Sequence, residues 1–363
     1  MAKIAFLLGK ITNIGGIPRV VSLLTNSLVD KTNHEIIIIA YEKGKHEGYN
    51  WNSNIRFYHL LNSPTKMKYG IFKGVPKLRK ILKAQKSDIL ISCGSLYGPL
   101  GVLATRFNST KLVYWDHSNY FENTSHQMKI ESKNFTAKFA DIVVPLTKTD
   151  KKNYKNHTKA KEIIQIYNPI DPALENLNHK YDVKSKKIIS VGRLTNQKNF
   201  MTLVDVAHIV LHEFPDYEWH IYGSGPDQEK INTRIIEKKL EGKLILKGQS
   251  DNLYSLYKEY SMMVMTSIYE GFPMTLLEGM ANGLPLVSFD IPTGPNEIIT
   301  DDKNGYLIEP FDIERMAEMI MGLLTNESLR INFSTENRSR LNVFNNTTIT
   351  RKWDVLFNDL TSK

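Results

Sequence analysis

Two doubly wound α/β lobes, each a parallel sheet covered by helices, are the fold class this sequence predicts, and three observations predict them. Short apolar runs alternate with amphipathic segments from one end of the chain to the other. The alternation stops at Tyr167-Asn-Pro-Ile-Asp-Pro172, gives way to a polar stretch through Lys187, and then begins afresh. The 363 residues also amount to two domains of ordinary size, at roughly 100–200 residues each.

In the first half, apolar runs at 4–8, 36–40, 89–91, 112–115 and 142–144 predict strands. Unbroken apolar runs of this length suit parallel strands covered on both faces. Residues 20–28 and 127–139 have helical spacing between them. Over 71–83, apolar Val75, Leu78, Ile81 and Leu82 recur every third or fourth residue with Lys77, Lys80 and Lys83 beside them, which predicts a basic amphipathic helix. The interdomain linker is placed at 167–187. In the second half, strands are expected at 188–191, 218–222, 244–246, 262–265 and 286–289, with helices near 199–213, 227–240 and 274–282. Residues 311–363 look helical throughout, and Trp353, Val355, Leu356 and Leu360 give the last segment an apolar face that can cross back onto the first lobe. The expected domains are therefore 1–168, completed by a helix at 347–363, and 169–346.

Composition narrows the class of protein. Hydrophobic residues at 41%, charged residues at 23%, 21 Gly and 14 Pro exclude disordered and collagen-like chains. A single cysteine, Cys93, permits no intramolecular disulfide and no cysteine zinc cage, which suits a reducing compartment. Cys93 lies in an apolar run and reads as a small core thiol. The apolar run near the amino end is too short for a signal-peptide core, and none approaches the ~18 residues of a membrane span, so a cytoplasmic protein is expected. The net charge of +9 is unevenly divided. Residues 1–168 hold 26 Lys and Arg against 11 Asp and Glu, whereas the remainder holds 21 against 27. Residues 66–86 alone carry eight basic side chains and no acidic one. A basic amphipathic stripe is either a solvated helix face or a patch drawn to anionic lipid headgroups, where each cation adds on the order of 1 kcal/mol. A nucleic-acid surface is disfavoured, because no binding module is recognisable and no aromatic platform is interleaved with the cations.

The chemistry-bearing motifs follow the strands, where two facing open sheets would place a cleft. After the run ending at Gly192 come Arg193 and Lys198, in a strand-to-helix turn where two cations and a helix amino end can converge on a diphosphate. After 262–266 comes Glu270-Gly-Phe-Pro-Met-Thr-Leu-Leu-Glu278, passing from loop to helix at about Pro273. The amides of Met274, Thr275 and Leu276 are expected to be free there. Glu270 and Glu278 would stand apart from the cations and accept sugar hydroxyls. In the first lobe Gly15-Gly16 precedes a helix, but forms neither a G-x-G-x-x-G fingerprint nor a Walker A loop, which argues against a dinucleotide enzyme or an NTPase. His117, in Asp116-His-Ser-Asn119, follows a strand and is a cleft candidate. His208 and His212 do not make His-Glu-x-x-His and read as helix surface. No Asp-x-Asp occurs, so the usual sequence sign of a metal-held sugar nucleotide is missing.

Val191-Gly-Arg-Leu with Lys198, Tyr222-Gly-Ser-Gly-Pro226, Lys247-Gly-Gln249, Glu270 to Glu278 and Thr293-Gly-Pro-Asn-Glu297, in that order, resemble the donor lobe of the retaining family 4 glycosyltransferases of GT-B fold. The resemblance is specific over about 186–300 and looser in the first lobe, where Gly15-Gly16 and His117 match the family's glycine loop and cleft histidine. Relatives with the Glu-Gly-Phe-Pro variant build bacterial surface polysaccharides and lipid-linked oligosaccharides. The resemblance implies a nucleotide-sugar donor, UDP-linked by family habit with GDP as the alternative, bound by the second lobe, and an acceptor bound by the first.

On that resemblance Arg193 and Lys198 bind the diphosphate with the amides of 274–276. Glu278 holds the ribose, Glu270 the transferred sugar, and His117 lies by the anomeric carbon. Gly15 and Gly16 pass near the phosphates, and Gly223 and Gln249 near the nucleoside, with Gly192, Gly271 and Phe272 completing the donor loops. Pro273 departs from a glycine common in the family and removes one N–H. No cofactor or metal is implied. A membrane-held acceptor and an inner-leaflet location fit the basic lobe. The competing readings are a UDP-sugar 2-epimerase, which needs no acceptor, and a noncatalytic sugar-binding protein.

Overall fold

The computed structural model describes residues 1–11, 15–44, 49–121, 127–175, 177 and 179–362. The chain divides into unit 1, Met1–Asp171 with Phe344–Lys363, and unit 2, Pro172–Val343. Unit 1 runs β1 (Lys3–Leu8), α1 (Gly16–Lys31), β2 (Glu35–Glu42), β3 (Arg56–Leu61), α2 (Met67–Gln85), β4 (Ile89–Cys93), α3 (Gly98–Thr105), β5 (Lys111–Asp116), α4 (Gln127–Phe139), β6 (Ile142–Pro145) and α5 (Lys148–His157). Unit 2 runs β7 (Lys187–Val191), α6 (Phe200–Glu213), β8 (Glu218–Tyr222), α7 (Gln228–Glu237), β9 (Leu244–Gly248), α8 (Leu253–Leu256), β10 (Met262–Met265), α9 (Met274–Ala281), β11 (Leu286–Phe289), α10 (Pro295–Ile298), β12 (Gly305–Ile308), α11 (Ile313–Thr325) and α12 (Glu327–Arg340). The last helix, α13 (Asn346–Ser362), returns to unit 1.

Each unit holds one six-stranded parallel sheet. The orders are β3-β2-β1-β4-β5-β6 and β12-β11-β10-β7-β8-β9, the doubly wound pattern expected. The central strands are buried along nearly their whole length, because helices cover both faces. Two strands are not marked by apolar runs, and both are edges. β3 mixes polar and aromatic residues and stays half exposed over its first four residues, and β12 has only four residues. Two unforeseen helices lack a stripe for an equally physical reason. α3 is buried almost all round, while α5 buries only Asp150 and Tyr154 and is started by Thr147, whose hydroxyl accepts the Asp150 N–H at 3.0 Å.

The expected 71–83 helix extends to Met67–Gln85, with Pro76 inside it on the exposed side. Its inward face is Gly70, Gly74, Leu78 and Leu82, while Val75 and Ile81 are half-buried and Lys77, Lys80 and Lys83 are exposed. The region 311–363 contains α11, α12 and α13 joined by a 3₁₀ turn at 341–343; Lys363 lies outside the described residues. The inward stripe of α13 is Trp353, Leu356, Phe357 and Leu360. Val355, assigned to that face from sequence, points outward and is 50% exposed, because it falls off the i, i+3, i+4, i+7 row. Trp353 meets Trp115 at 4.9 Å between ring centroids, and Asp354 Oδ1 lies 2.8 Å from His34 Nε2.

The segment read as a linker is only partly one. From Tyr181 onward the chain is fixed to unit 2: the Tyr181 hydroxyl donates to the Ser261 carbonyl at 2.6 Å, and Ser185 Oγ to Glu259 at 2.5 Å. Buried Arg330 donates to the Val183 carbonyl at 2.8 Å and to the carbonyls of Leu323 and Leu324, capping the carboxyl end of α11.

Candidate active site

In unit 2 the motifs after β7, β8, β10 and β11 fold against one another. The Gly192 N–H donates to Tyr222 at 2.9 Å, Leu194 to Ser224 at 2.9 Å, and the Gly223 N–H to Gly248 at 2.8 Å. Gly223 has φ +141°, and a Cβ there would sit 1.9 Å from the Gly192 carbonyl oxygen, so no other residue fits. Gln249 donates to Ser224 Oγ at 2.8 Å. The Lys198 side chain runs across Gly192, with its Cδ and Cε 3.1 Å from where a Cβ would stand.

Lys198 ends on Glu270: Nζ lies 2.5 Å from Oε1, with both side chains largely buried. The expected separation of cations from carboxylates is therefore corrected at this pair. Two further contacts hold the loops together: the Ile268 N–H donates to the Gln197 carbonyl at 2.9 Å, and Thr266 Oγ1 to the Asn199 carbonyl at 3.1 Å. Pairing a buried cation with a buried carboxylate offsets part of the desolvation cost that each carries. Arg193 is exposed and forms no ion pair with the described residues.

Helix α9 begins behind Glu270. Pro273 is its N-cap residue, and no side chain caps it. The Leu276 N–H, expected to be free, donates to the Pro273 carbonyl at 3.1 Å, because the first turn closes tightly. The N–H groups of Met274 and Thr275 have no backbone acceptor among the described residues, as the open start of a helix requires. Glu278, one turn on, is buried and accepts the Tyr257 hydroxyl at 2.6 Å. Tyr257 has no mark in the sequence, since a tyrosine in a short polar segment carries no signal of its partner. Thr293, at the start of the Thr-Gly-Pro-Asn-Glu motif, donates to the Glu270 carbonyl at 2.6 Å, and Phe272 is buried beside Gly271.

Unit 1 carries Gly15, Gly16 and His117. Gly15 is the N-cap of α1; its N–H donates to the Tyr49 hydroxyl at 3.0 Å, and a Cβ on either glycine would meet nothing within 4 Å among the described residues. His117 is half-buried at the carboxyl end of β5, its ring 4.2 Å from that of Trp115. Burial pushes its pKa down to about 4 against an opposing pull from Asp116, so the imidazole is neutral near pH 7. Its Nε2 is enclosed and has no hydrogen-bond partner among the described residues.

The loop that presents His117 is held by a polar network with no signature in the sequence. Asp116 and Lys133, each 1% exposed, pair at 3.1 Å; Tyr154 donates to Asp116 at 2.6 Å, and Lys133 donates to the Asn119 carbonyl at 2.5 Å. Asp150 accepts the Tyr120 N–H at 3.0 Å. Lys133 sits among polar neighbours on α4, where a solvated lysine is the ordinary expectation. Cys93 is buried as expected, and burial pushes its thiol pKa up, keeping it protonated.

Comparison with known proteins matches both halves of the chain. The model of the group 1 glycosyl transferases matches residues 176–340, and that of glycosyltransferase family 4 matches residues 14–174. The chain is 28% identical over 371 residues to the amylovoran biosynthesis glycosyltransferase AmsD of Erwinia amylovora, covering 99% of this chain and 100% of that one. It is 30% identical over 286 residues to a poly(ribitol-phosphate) α-N-acetylglucosaminyltransferase of Staphylococcus aureus, covering 77% of this chain and 57% of that protein. Among solved structures, a variant of S. aureus TarM in complex with fondaparinux, α-GlcNAc-glycerol and UDP superposes with a TM-score of 0.83 at 19% identity, over 99% of this chain and 100% of that one. With two matched models covering nearly the whole length and two doubly wound sheets, the chain belongs to the group 1 and family 4 glycosyltransferases of GT-B fold.

Proposed function

We propose that the enzyme transfers a hexose or N-acetylhexosamine, with retention and without a metal, from a UDP-sugar to a lipid-linked glycan acceptor in bacterial surface-polysaccharide or glycoconjugate synthesis. The observation that carries this reading is the Lys198–Glu270 pair, followed in the chain by a helix start at which the amides of Met274 and Thr275 are open. A diphosphate arriving there draws Lys198 away from Glu270, and the released carboxylate accepts hydroxyls of the transferred sugar. Arg193 supplies a second cation, and Glu278, oriented by Tyr257, takes the ribose. Fixed cations and helix-end donors stabilise the departing diphosphate by several kcal/mol, which is the main demand of glycosyl transfer.

Retention follows when the acceptor oxygen bonds to the anomeric carbon on the face from which the diphosphate oxygen leaves, its proton passing to that phosphate. His117 of unit 1, neutral near pH 7, offers no cationic acid. The names of the relatives, one in amylovoran biosynthesis and one acting on a poly(ribitol-phosphate), favour a surface-polymer acceptor, and UDP in the TarM complex favours a uridine donor. Family membership sets transfer ahead of the 2-epimerase and the noncatalytic readings.

Among the described residues, no helix is long and apolar enough to cross a membrane. Helix α2 presents Lys77, Lys80 and Lys83 together with Phe72, 79% exposed, and Tyr69, 63% exposed. This mixture suits peripheral contact with the anionic inner leaflet, where a lipid-linked acceptor resides. The test is nucleotide release from UDP-glucose, UDP-galactose and their N-acetylhexosamine counterparts with acceptor membranes and a chelator present. Release from one donor is expected, and release from none refutes the reading.

A further inference from the structure

Strand β8 carries a polar row where the fold asks for none. Its side chains alternate between the two faces of the sheet, so Trp219 and Ile221 enter the apolar core while Glu218, His220 and Tyr222 share the opposite face. A parallel strand covered on both faces is ordinarily apolar throughout, and a buried polar group there costs free energy unless it is paired. Here each is paired. His220, 4% exposed, has Nε2 3.0 Å from Glu218 Oε2 and Nδ1 2.8 Å from the Tyr260 hydroxyl, which in turn lies 3.1 Å from the Tyr222 hydroxyl. Glu218 is half-exposed at the amino end of β8 and Tyr222 is buried at its carboxyl end, so the row runs the length of the strand.

The inner end of the row meets the donor motifs. The Tyr222 carbonyl accepts the Gly192 N–H at 2.9 Å, and Gly223 follows with its N–H on the Gly248 carbonyl at 2.8 Å. Tyr260 closes the 3₁₀ turn Tyr257–Glu259, its N–H donating to the Tyr257 carbonyl at 3.2 Å, and the Tyr257 hydroxyl donates to Glu278 at 2.6 Å. One turn of chain therefore holds the carboxyl end of β8 through Tyr260 and the Glu278 carboxylate through Tyr257.

Hydrogen counting couples the row to protonation. The ionised Glu218 carboxylate only accepts, so His220 Nε2 carries the proton of the neutral imidazole and Nδ1 accepts the Tyr260 hydrogen. The Tyr260 oxygen is then left to accept the Tyr222 hydrogen. A proton on Nδ1 reverses both bonds: Nδ1 donates to Tyr260, Tyr260 donates to Tyr222, and the Tyr222 hydrogen loses its acceptor among the described residues. Burial first, with Lys247 on β9 and Lys187 on β7, holds the His220 pKa below the ordinary value against the pull of Glu218, so the neutral arrangement prevails near pH 7. The Tyr260 hydroxyl, whose pKa burial, Tyr222, Glu259 and Glu218 all raise, stays protonated throughout.

We propose that Tyr260 and His220 are positioning residues of the nucleotide site: they hold the Tyr222–Gly223 end of β8 and, through the shared turn, Glu278, and nucleotide binding weakens as His220 gains a proton. The inference rests on reading unit 2 as the donor site.

Calorimetric titration of the full chain with UDP and with GDP tests it. Tyr260→Phe, which keeps the ring and removes the hydroxyl, is expected to bind the nucleotide about fivefold or more weakly than the wild type near pH 7. From about pH 7.5 down to about 5, across the ordinary histidine pKa, wild-type affinity is expected to fall. His220→Gln keeps a donor for Glu218 and an acceptor for Tyr260 without titrating, and is expected to flatten that fall. Wild-type affinity in Tyr260→Phe, even with a lowered melting temperature, overturns the inference, as does a His220→Gln profile parallel to that of the wild type. Should Tyr260→Phe fail to fold, the His220→Gln profile decides alone. A wild type that binds neither nucleotide overturns the donor reading and this inference with it, whereas bound nucleotide indifferent to both substitutions overturns this inference alone.

Discussion

On the proposed reading, Lys198 and Glu270 are the residues on which the donor site turns. Lys198→Ala leaves Glu270 without its 2.5 Å partner and the diphosphate without its cation, so the loss combines a weakened ground state with an unstabilised leaving group. Turnover is expected to fall about 10²–10³-fold on the scale of a single lost electrostatic donor. Arg193→Ala is expected to do the same, while circular dichroism remains that of the wild type, since Arg193 is exposed and forms no ion pair with the described residues. Wild-type turnover in either variant would displace the site.

His117 gives a pH signature of opposite origin. Its folded pKa of about 4 lies below that of an unfolded histidine, about 6.5, so between those values the unfolded chain binds a proton that the folded chain refuses. Stability is then lost as pH falls from 6.5 to 4, by at most about 1.4 kcal/mol per unit, a bound that solvent around the half-buried ring reduces. His117→Gln should flatten this part of the urea-midpoint profile; an unchanged profile would place His117 in an ordinary aqueous setting. Arg193, Lys198 and Glu270 were visible as candidates in the sequence because each follows a strand, and Glu278 because it lies one turn into α9. Their partners Tyr257 and Thr293, and the Lys198–Glu270 contact itself, were not, since contacts between loops far apart in sequence leave no local pattern.

At the scale of elements, apolar runs served for strands and one-sided stripes for helices, and both failed at two edge strands and at a helix buried nearly all round. Strands β8, β10 and β11 end where their apolar runs end, whereas edge strands β3 and β12 and the all-buried α3 show no such contrast. Helix α4 displays this limit from inside: its span was legible, but not that Lys133 on it would be 1% exposed and bound to Asp116. Lys133→Met strands that carboxylate and is expected to cost about 3–5 kcal/mol, read as a lower denaturant midpoint. Lys133→Met combined with Asp116→Leu should recover part of it, and no recovery would mean that the loss does not come from the stranded carboxylate. For α2, replacing Lys77, Lys80 and Lys83 with Glu should reduce pelleting with anionic vesicles without altering the melting temperature, because all three are exposed. Unchanged pelleting would reduce that face to a solvated one.

For the whole molecule, the division into two units is the organising fact. The charge partition, with 26 basic against 11 acidic residues up to position 168 and 21 against 27 after it, follows that division. The constellation built from Arg193, Lys198, Glu270 and Glu278 lies wholly in unit 2. The chain crosses between units twice, at Asp171 and at Val343, and α13 completes unit 1 through Trp353 on Trp115. The restart of the strand rhythm after two prolines made the two sheets legible, and the apolar face of the last segment made the return legible. The docking of 181–185 onto unit 2 was not, because its polar residues hide backbone contacts made through Arg330 and Ser261.

A crystal grown with UDP tests the central claim most directly. The diphosphate is predicted within hydrogen-bonding distance of Lys198, Arg193 and the amides of Met274 and Thr275, with the ribose on Glu278 and the Lys198–Glu270 contact opened. UDP seated elsewhere, or the Lys198–Glu270 pair intact beside a bound nucleotide, would contradict it.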